Sequence, residues 1–578
     1  KNNKARNTYF MLPLLFALIG LVYHAKKDWK SFYVLLVLFL FMGLALKVFL
    51  NESPFEPRER DYAVVGAFFV FAMWIAFGIY AIYDFVNKKV SEKTSGYGVM
   101  ALSLLAVPVL MAVQNWDDHD RSGKDTALVN AKAYMDSLDE NAIIFTIGDN
   151  DTFPLWYLQE VEGYRTDVKV VCTALLQTDW YIDQMKQKTY LSDGLKISFS
   201  HDQYSGGKLD GVIYNPVTDQ RLTINQFLEF IHLDDPRTYK VQPNGFKLHT
   251  FPSRKITIPV DKEAVLKNGI VPEKYADRIV DAMNLDIKKS LLYINRVIML
   301  DIIANNNWER PVYFSPGAWD DEDYLWMKDY MELDGVVYKL VPVKTVYDRK
   351  GGSVDMGFLD TEKMYDKIMS KEYENGNRKG FFFGASGSDK IYHDVETRRN
   401  VFSYRMYFGR LAEALVAEGK PEKAKDIAYL TMKHFPFEHY GLYEMLEPFI
   451  GVYYGVGEKE KARELIDKIS KKYQEELIFY GSLDLREQSA ILGEAYRATA
   501  YYRNLLLIMK EYNDLELYEK SYPVFNKYNA IFKQRLDTKD EPSEEVSEEQ
   551  RVMDSLLNSL PDSSELEKLL EELEVENS

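Results

Sequence analysis

Cysteine occurs once in the 578 residues, as Cys172. A single thiol excludes an intrachain disulfide and a thiolate metal cluster. It sits in the apolar run Val168-Lys169-Val170-Val171-Cys172 with no histidine near it in sequence. It therefore reads as a small buried hydrophobe rather than a nucleophile. Positive charge is also short: 71 Lys and Arg stand against 88 Asp and Glu, a formal net charge of −17. That balance argues against a nucleic-acid partner, which needs a basic face. GxGxxG, GxSxG, HExxH, a P-loop lysine and Cys/His zinc spacing are all missing, so nucleotide, hydrolase-elbow and zinc chemistry have no motif to rest on. The chain opens Lys1-Asn2-Asn3-Lys4 without a methionine or a cleavable leader, and is expected to be the later part of a longer protein.

What is present divides the chain in two. A mean hydropathy of −0.29 averages an apolar first part with a polar, acidic remainder. Four apolar runs, Tyr9 to Tyr23, Phe32 to Leu50, Ala63 to Tyr83 and Val99 to Val113, follow one another with short polar breaks. Roughly 20 helical residues cross the hydrocarbon of a bilayer, so residues 1–116 are expected to hold four transmembrane helices. Lys26, Lys27 and Lys30 fill the first connection and Lys88, Lys89 and Lys93 the third, which places both in the cytoplasm. The second connection, residues 51–62, and everything after Trp116 then lie outside. Lys1, Lys4 and Arg6 run against this rule. The helices lack internal charges apart from Lys47 near an end, so a transporter has little to line a polar pathway.

Beyond the membrane half, residues 124–138 have the spacing of an amphipathic helix. Asn141 to Ile147 and Asp167 to Ala174 read as buried strands. Gly148 to Thr152 reads as the turn between them, followed by a helix over 153–161 with Pro154 in its first turn. A helix over 291–305, a strand over 310–314, a helix over 321–331 and a strand over 336–343 repeat the order. The expectation is an α/β domain over 117–345, on the outer side of the membrane, with a mainly parallel sheet and a β-rich insertion. Residues 346–394 read as a linker. Over 395–535 the pattern is helical, and Gly419 and Ala424 recur as Gly457 and Ala462 at a spacing of 38 residues. That is close to the roughly 34-residue tetratricopeptide repeat, so this region is expected to be repeat-like, either a face for a protein partner or a packing cap. Residues 536–578 are expected to form an acidic, largely mobile tail.

Three clusters carry the charged chemistry. Arg58 and Arg60 stand at the outer membrane surface before a helix, where the guanidinium fork and the helix dipole suit a lipid-linked phosphate; an intra-loop salt-bridge cluster is the competing reading. Asp117, Asp118, His119 and Asp120 follow the fourth run and offer ligands for a divalent cation, Mg²⁺ or Mn²⁺, or a general base. Against that stands a solvated acidic stop with a cap from Asp120 or Ser122. Asp149 and Asp151 lie at the carboxyl end of the first strand, where open α/β sheets place ligands; Asp151 or Thr152 as a helix cap is the alternative. Asp61, Asp117 and Asp120 are the carboxylates available as catalytic candidates.

Three stretches in order carry a family resemblance: Pro57-Arg58-Glu59-Arg60-Asp61-Tyr62, Asn115-Trp116-Asp117-Asp118-His119-Asp120-Arg121, and Gly148-Asp149-Asn150-Asp151-Thr152-Phe153-Pro154-Leu155-Trp156-Tyr157. Over residues 7–345 the chain resembles the large Bacteroidota-type inner-membrane family known as glycosyltransferase family 117, itself similar to protein O-mannosyltransferases of the GT-C class. Glu162-Gly163, Arg165 to Val168 and Thr178 to Tyr181 also fit it. The resemblance implies a bacterial inner-membrane enzyme that moves sugar from a polyprenyl-phosphate-linked donor to an exported protein on the periplasmic face. It also implies that the main catalytic acid lies in a first outer loop, upstream of Lys1. The competing reading is a non-enzymatic membrane-anchored scaffold that recruits partners through its repeat region.

Overall fold

The computed structural model describes residues 6–51, 60–233, 235–241, 247–317, 324–345, 356–370, 373–374, 377–378, 380–484, 487–488 and 491–536. The chain divides into two compact units between Leu446 and Glu447, inside the stretch that the sequence pattern reads as one helical region.

The first unit opens with four helices long and apolar enough to cross a membrane: α1 (Tyr9–Lys27), α2 (Trp29–Leu50), α3 (Asp61–Val86) and α4 (Glu92–His119). Each extends past its apolar run, and polar side chains cap the starts of α2 and α4. The Asp28 carboxylate accepts from the N–H groups of Lys30 and Ser31 to start α2. The Ser91 hydroxyl accepts from Thr94 N to start α4, the satisfaction that a helix's first turn requires. Pro108 lies within α4, where it lacks an N–H and crowds the preceding turn; the backbone takes a π turn over Leu105–Val109. Ala17, Phe32, Val70 and Trp74 form the small core shared by α1, α2 and α3. Phe41, Leu44, Val48 and Phe49 of α2 are exposed, a surface that a hydrocarbon surrounding would satisfy.

After α5 (Thr126–Ser137) comes β1 (Ile143–Thr146), then α6 (Asp149–Glu160) and β2 (Lys169–Cys172). An insertion follows, with β3 (Gly211–Tyr214), β4 (Leu222–Thr223), α7 (Ile224–His232), β5 (Tyr239–Val241), β6 (Lys247–Phe251), β7 (Lys255–Pro259), β8 (Ala282–Asp286) and β9 (Leu291–Tyr293). It folds as two small sheets, β5-β6-β3-β9 and β4-β7-β8. The chain returns through α8 (Ile294–Asn306) to β10 (Val312–Phe314), β11 (Met331–Asp334) and β12 (Val337–Leu340). The main sheet has the order β11-β12-β10-β1-β2. Every residue of β1 and β2 is buried, as in strands covered on both faces, and the charged Lys169 Nζ donates to Gln187 O. Cys172 is one of them.

The sheet is mixed rather than mainly parallel. β1 runs parallel to β2 and β10, whereas β12 runs antiparallel to both β10 and β11. The cause is the tight Asp334-Gly335 turn between β11 and β12, with Gly335 at φ 69°; a hairpin can only return antiparallel. Two predicted helices also change. Residues 291–293 pair as β9 before α8 begins, and Leu325–Tyr330 is a 3₁₀ turn that runs straight into β11. Within residues 346–394, α9 (Thr361–Met369) is a capped helix, its N-cap Asp360 accepting from Lys363 N. α10 (Val401–Ala417) and α11 (Pro421–His434) form a hairpin around Gly419 at φ 72°.

The second unit contains α12 (Glu447–Gly455), α13 (Lys459–Ser482), α14 (Leu492–Glu511) and α15 (Leu515–Leu536). Gly457, at φ 80°, ends the first of these, where only a residue without Cβ is unstrained. Buried Asp514 accepts from Arg463 and Tyr454 and ties α13 to the start of α15. The acidic tail lies outside the described residues.

Candidate functional site

The two membrane-proximal clusters lie at one end of the four-helix group. Tyr9 N donates to Gln114 Oε1 (3.2 Å), and Tyr9 Oη donates to Asn115 Oδ1 (2.8 Å). Asn7 Nδ2 reaches the same oxygen at 3.2 Å. The start of α1 is thereby pinned to the end of α4. Tyr9, Phe10 and Met11 all take positive φ, 50°, 49° and 59°, a left-handed turn costing on the order of 1–2 kcal/mol per residue. α3 runs beside α1 in the same sense, so exposed Arg60 and Asp61 open it at this end. Arg58 lies outside the described residues.

The acidic cluster fans out rather than converging. Asp117 is exposed, and Asp118 is buried with its carboxylate 3.1 Å from His119 Nδ1. Its carbonyl accepts from Arg121 at 2.8 Å. The His119 ring is mostly exposed. Asp120 is the C-cap of the helix and accepts from Ser122 N at 2.8 Å. The Ser122 hydrogen bonds hold the Asp120 carboxyl below its ordinary range. Among the described residues, no three or more His, Cys, Asp or Glu gather in a way that could hold a metal ion.

At the carboxyl end of β1, the helix begins four residues earlier than the position of Pro154 suggests. Gly148 is the N-cap, so Asp149 to Thr152 form the first turn of α6. Asp151 explains the early start. Its carboxylate accepts from Ile147 N (2.8 Å) and Gly148 N (2.9 Å), and also from the Ser315 hydroxyl after β10. The capping role foreseen for Asp151 is thus filled from inside the helix. Thr152 is buried, with its hydroxyl 2.6 Å from that of Thr146. β1 leads to β2 on one side, and β2 leads back through α8 to β10 on the other. The crevice between β1 and β10 is therefore the topological switch point where open sheets bind ligands. Asp151 and Ser315 bridge that crevice, which leaves exposed Asp149 and Asn150 as the open polar groups of the loop.

Sequence reasoning missed two groupings, because their members lie far apart in the chain. Asp301 in α8 is fully buried and accepts from Ser198 N (2.6 Å) and Ser198 Oγ (2.5 Å). His232 Nε2 stands 2.9 Å from the same hydroxyl, and Gln203 Nε2 stands 3.0 Å from His232 Nδ1. With the serine proton committed to the carboxylate, this chain of hydrogen bonds pins residues 195–199 onto α8. Burial pushes the Asp301 carboxyl up and the His232 imidazole down. The second grouping is a cleft of about 140 Å³ at the carboxyl edge of the sheet, lined among others by Gln177, Lys288, Lys289, Asn295, Arg296 and Trp326.

Residues 127–363 match the family model described as TMEM260-associated domain 2. That span runs from α5 through the sheet and the insertion into α9. Comparison with curated proteins and with solved structures gave no match.

Proposed function

We propose that the chain is a GT-C-like membrane glycosyltransferase, or the later portion of one. In this reading it is a multi-pass protein of the bacterial inner membrane and transfers sugar from a polyprenyl-phosphate-linked donor to an exported protein on the periplasmic face. The observation that carries the reading is the joining of Asn7 and Tyr9 to Gln114 and Asn115. It gathers Arg60, Asp61 and the 117–120 segment at the end of the helices from which the α/β region departs. The three-motif resemblance supports the same reading, since Arg60 to Tyr62 of the first motif and the second motif fall at this end and the third on the β1–α6 loop. Arg58 and Arg60 hold the carrier phosphate, because a planar guanidinium grips phosphate oxygens bidentately. Asp61, Asp117 and Asp120 are the carboxylates placed to orient or deprotonate an acceptor hydroxyl. A Mg²⁺ or Mn²⁺ ion would draw on Asp117, Asp118, His119 and Asp120. Those four diverge, so cation binding requires the α4 end to re-form around it.

The test is glycan transfer in intact cells carrying Arg58→Ala together with Arg60→Ala. Loss of transfer with normal protein level and membrane insertion supports the reading, and unchanged glycosylation refutes the phosphate role. A scaffold that recruits partners through its helical region would instead leave glycans unchanged on deletion of the chain.

A further inference from the structure

The carboxyl edge of the main sheet carries a row of aromatic rings that the readings above leave unused. Phe153 and Tyr157 stand one helical turn apart on the same face of α6. Phe153 stacks on Trp156 with ring centroids 5.2 Å apart, Trp156 lies 6.5 Å from Tyr181, and Tyr181 lies 5.4 Å from Trp180. Tyr181, in the helix Asp179–Met185, is fully buried. Its hydroxyl accepts from Cys172 N at 2.9 Å and donates to Val170 O at 3.3 Å, which ties the row to the end of β2. The outer members, Phe153, Tyr157 and Trp180, are 51%, 48% and 53% exposed. Water-facing surfaces rarely keep such rings bare side by side.

Chain connectivity places this edge at the membrane. α4 has 28 residues, about 42 Å of helix, against roughly 30 Å of hydrocarbon and 40–45 Å of whole bilayer. Its end therefore emerges from the headgroup layer. Residues 120–125 alone separate it from α5, and stretched out they would reach about 20 Å. A turn closed by Lys124 N donating to Arg121 O at 3.2 Å shortens that reach. α5 in turn starts toward the carboxyl edge. Its last turn lies at the opposite, amino edge, where Arg165 before β2 donates to Met135 O and Leu138 O, and Tyr164 donates to Asp136. α5 and α6 pack side by side. Burial, and then the charge of Asp151 in the first turn of α6, pushes the Tyr134 phenol of α5 up. The two helices thus run in the same sense, from the membrane end of the region to its far end.

We propose that Phe153, Trp156, Tyr157 and Trp180 form an interfacial contact with the bilayer: their rings enter the headgroup layer of the leaflet at which α4 ends and hold the carboxyl edge of the sheet against zwitterionic lipid. Aromatic rings favour that layer, and those of Trp and Tyr keep a polar tip in its water. The neighbouring Asp149 is exposed and gives no attraction to anionic lipid, so insertion of the rings supplies the binding. Asp149 and Asn150 stay in the water of the headgroup layer, at the height where a lipid-borne ligand would meet them. The inference rests on α1 to α4 lying in a bilayer and not on the transferase reading.

The full chain is reconstituted in phosphatidylcholine nanodiscs that include phosphatidylcholine with a nitroxide on its headgroup. Cys172 is buried, so a bimane probe can be placed on Gln177→Cys, exposed just before Trp180. The control is Leu191→Cys, exposed at the amino edge, where Lys169 at the start of β2 donates to Thr189. The nitroxide should quench the probe at 177 by about twofold and leave the one at 191 unchanged. High salt should not alter this, because screening acts on charge and not on apolar contact. Phe153→Ser together with Trp180→Ser should abolish the quenching. Trp180→Gln alone, at an exposed ring, should reduce it, and decides the matter if the double variant does not fold. Quenching that survives these substitutions means that the tether alone positions the edge, and overturns the proposal. Loss of quenching in high salt or equal quenching at 177 and 191 does the same. So does shielding of the 177 probe from aqueous iodide without headgroup quenching, which would put a protein or a glycan on the rings.

Discussion

Gly20 of α1 and Gly78 of α3 touch backbone to backbone. A Cβ added to Gly20 would lie 1.8 Å from the Trp74 carbonyl oxygen, and one added to Gly78 would lie 1.9 Å from that of Phe16. Small residues let apolar helices approach closely enough for van der Waals packing, the main attraction left where no water drives association. Gly20→Ala and Gly78→Ala should each force the helices apart and cost about 1–3 kcal/mol. Gly98 in α4 has nothing within 4 Å of its added Cβ, so Gly98→Ala should be neutral or stabilising by up to about 1 kcal/mol. Unfolding of the three variants in detergent micelles, followed by circular dichroism, makes the comparison.

Asp151 and Asp149 separate structural from functional roles within one loop. Asp151 accepts from Ile147, Gly148 and Ser315, so Asp151→Ala strands several donors and should cost roughly 2–3 kcal/mol. Asp149 is exposed, and Asp149→Ala should change stability by less than about 0.5 kcal/mol. Loss of function in Asp149→Ala at unchanged denaturation midpoint would identify it as a ligand-contacting residue.

Lys339, Lys363 and Lys367 oppose Asp139, Glu332 and Asp334 in a buried ionic cluster that ties β11, β12 and α9 to the end of α5. Lys363 Nζ lies 2.7 Å from Asp334 and 3.3 Å from Glu332, and Lys339 Nζ lies 2.7 Å from Asp139. Burial raises the Asp139 carboxyl, but Lys367, Lys339 and Lys363 outweigh it and hold it well below the ordinary range. A carboxyl with a lowered folded pKa adds stability above its unfolded value near 3.9, and that stability fades as the pH falls below it. Lys363→Met leaves Glu332 and Asp334 undercompensated and should cost about 3–5 kcal/mol at pH 7. Burial already raises the Glu332 pKa, so protonation relieves the variant first. Denaturant titrations should show the gap to wild type narrowing on acidification.

His393 is 3% exposed, and neither ring nitrogen has a hydrogen-bond partner among the described residues. Burial, reinforced by His439 and Lys124, pushes its pKa down to about 4. The unfolded imidazole titrates near 6.5, so the unfolded state binds the extra proton first. Stability is full above about pH 6.5 and declines toward pH 4, by on the order of 2–3 kcal/mol. His393→Phe should flatten that limb of the stability–pH profile, as melting temperatures across the range would show.

Hydropathy made α1 to α4 legible, and β-branched runs did the same for β1 and β2. Gly419 and Gly457 were readable as helix ends because a left-handed C-terminal turn needs glycine. The start of α6 was not readable: Pro154 pointed to a first turn at 153, whereas the reach of Asp151 back to Gly148 opens the helix at 149. β11 escaped because Glu332 and Asp334 are buried charges in a strand, paired with Lys363 and Lys367 of α9. No local alternation rule registers a charge whose partner arrives 29 or more residues later. The same distance in sequence hid the meeting of Gln177, Asn295 and Trp326, which only the crossover through α8 brings together.

The account depends most on which side of the membrane holds the α/β region. Asn150 is exposed on the β1–α6 loop, and Cys172 is buried, so the native chain gives no thiol background. The measurement is labelling of an Asn150→Cys variant by a membrane-impermeant maleimide added to intact spheroplasts. Labelling before lysis is the predicted result, and labelling only after lysis would contradict the proposed face, donor and acceptor together.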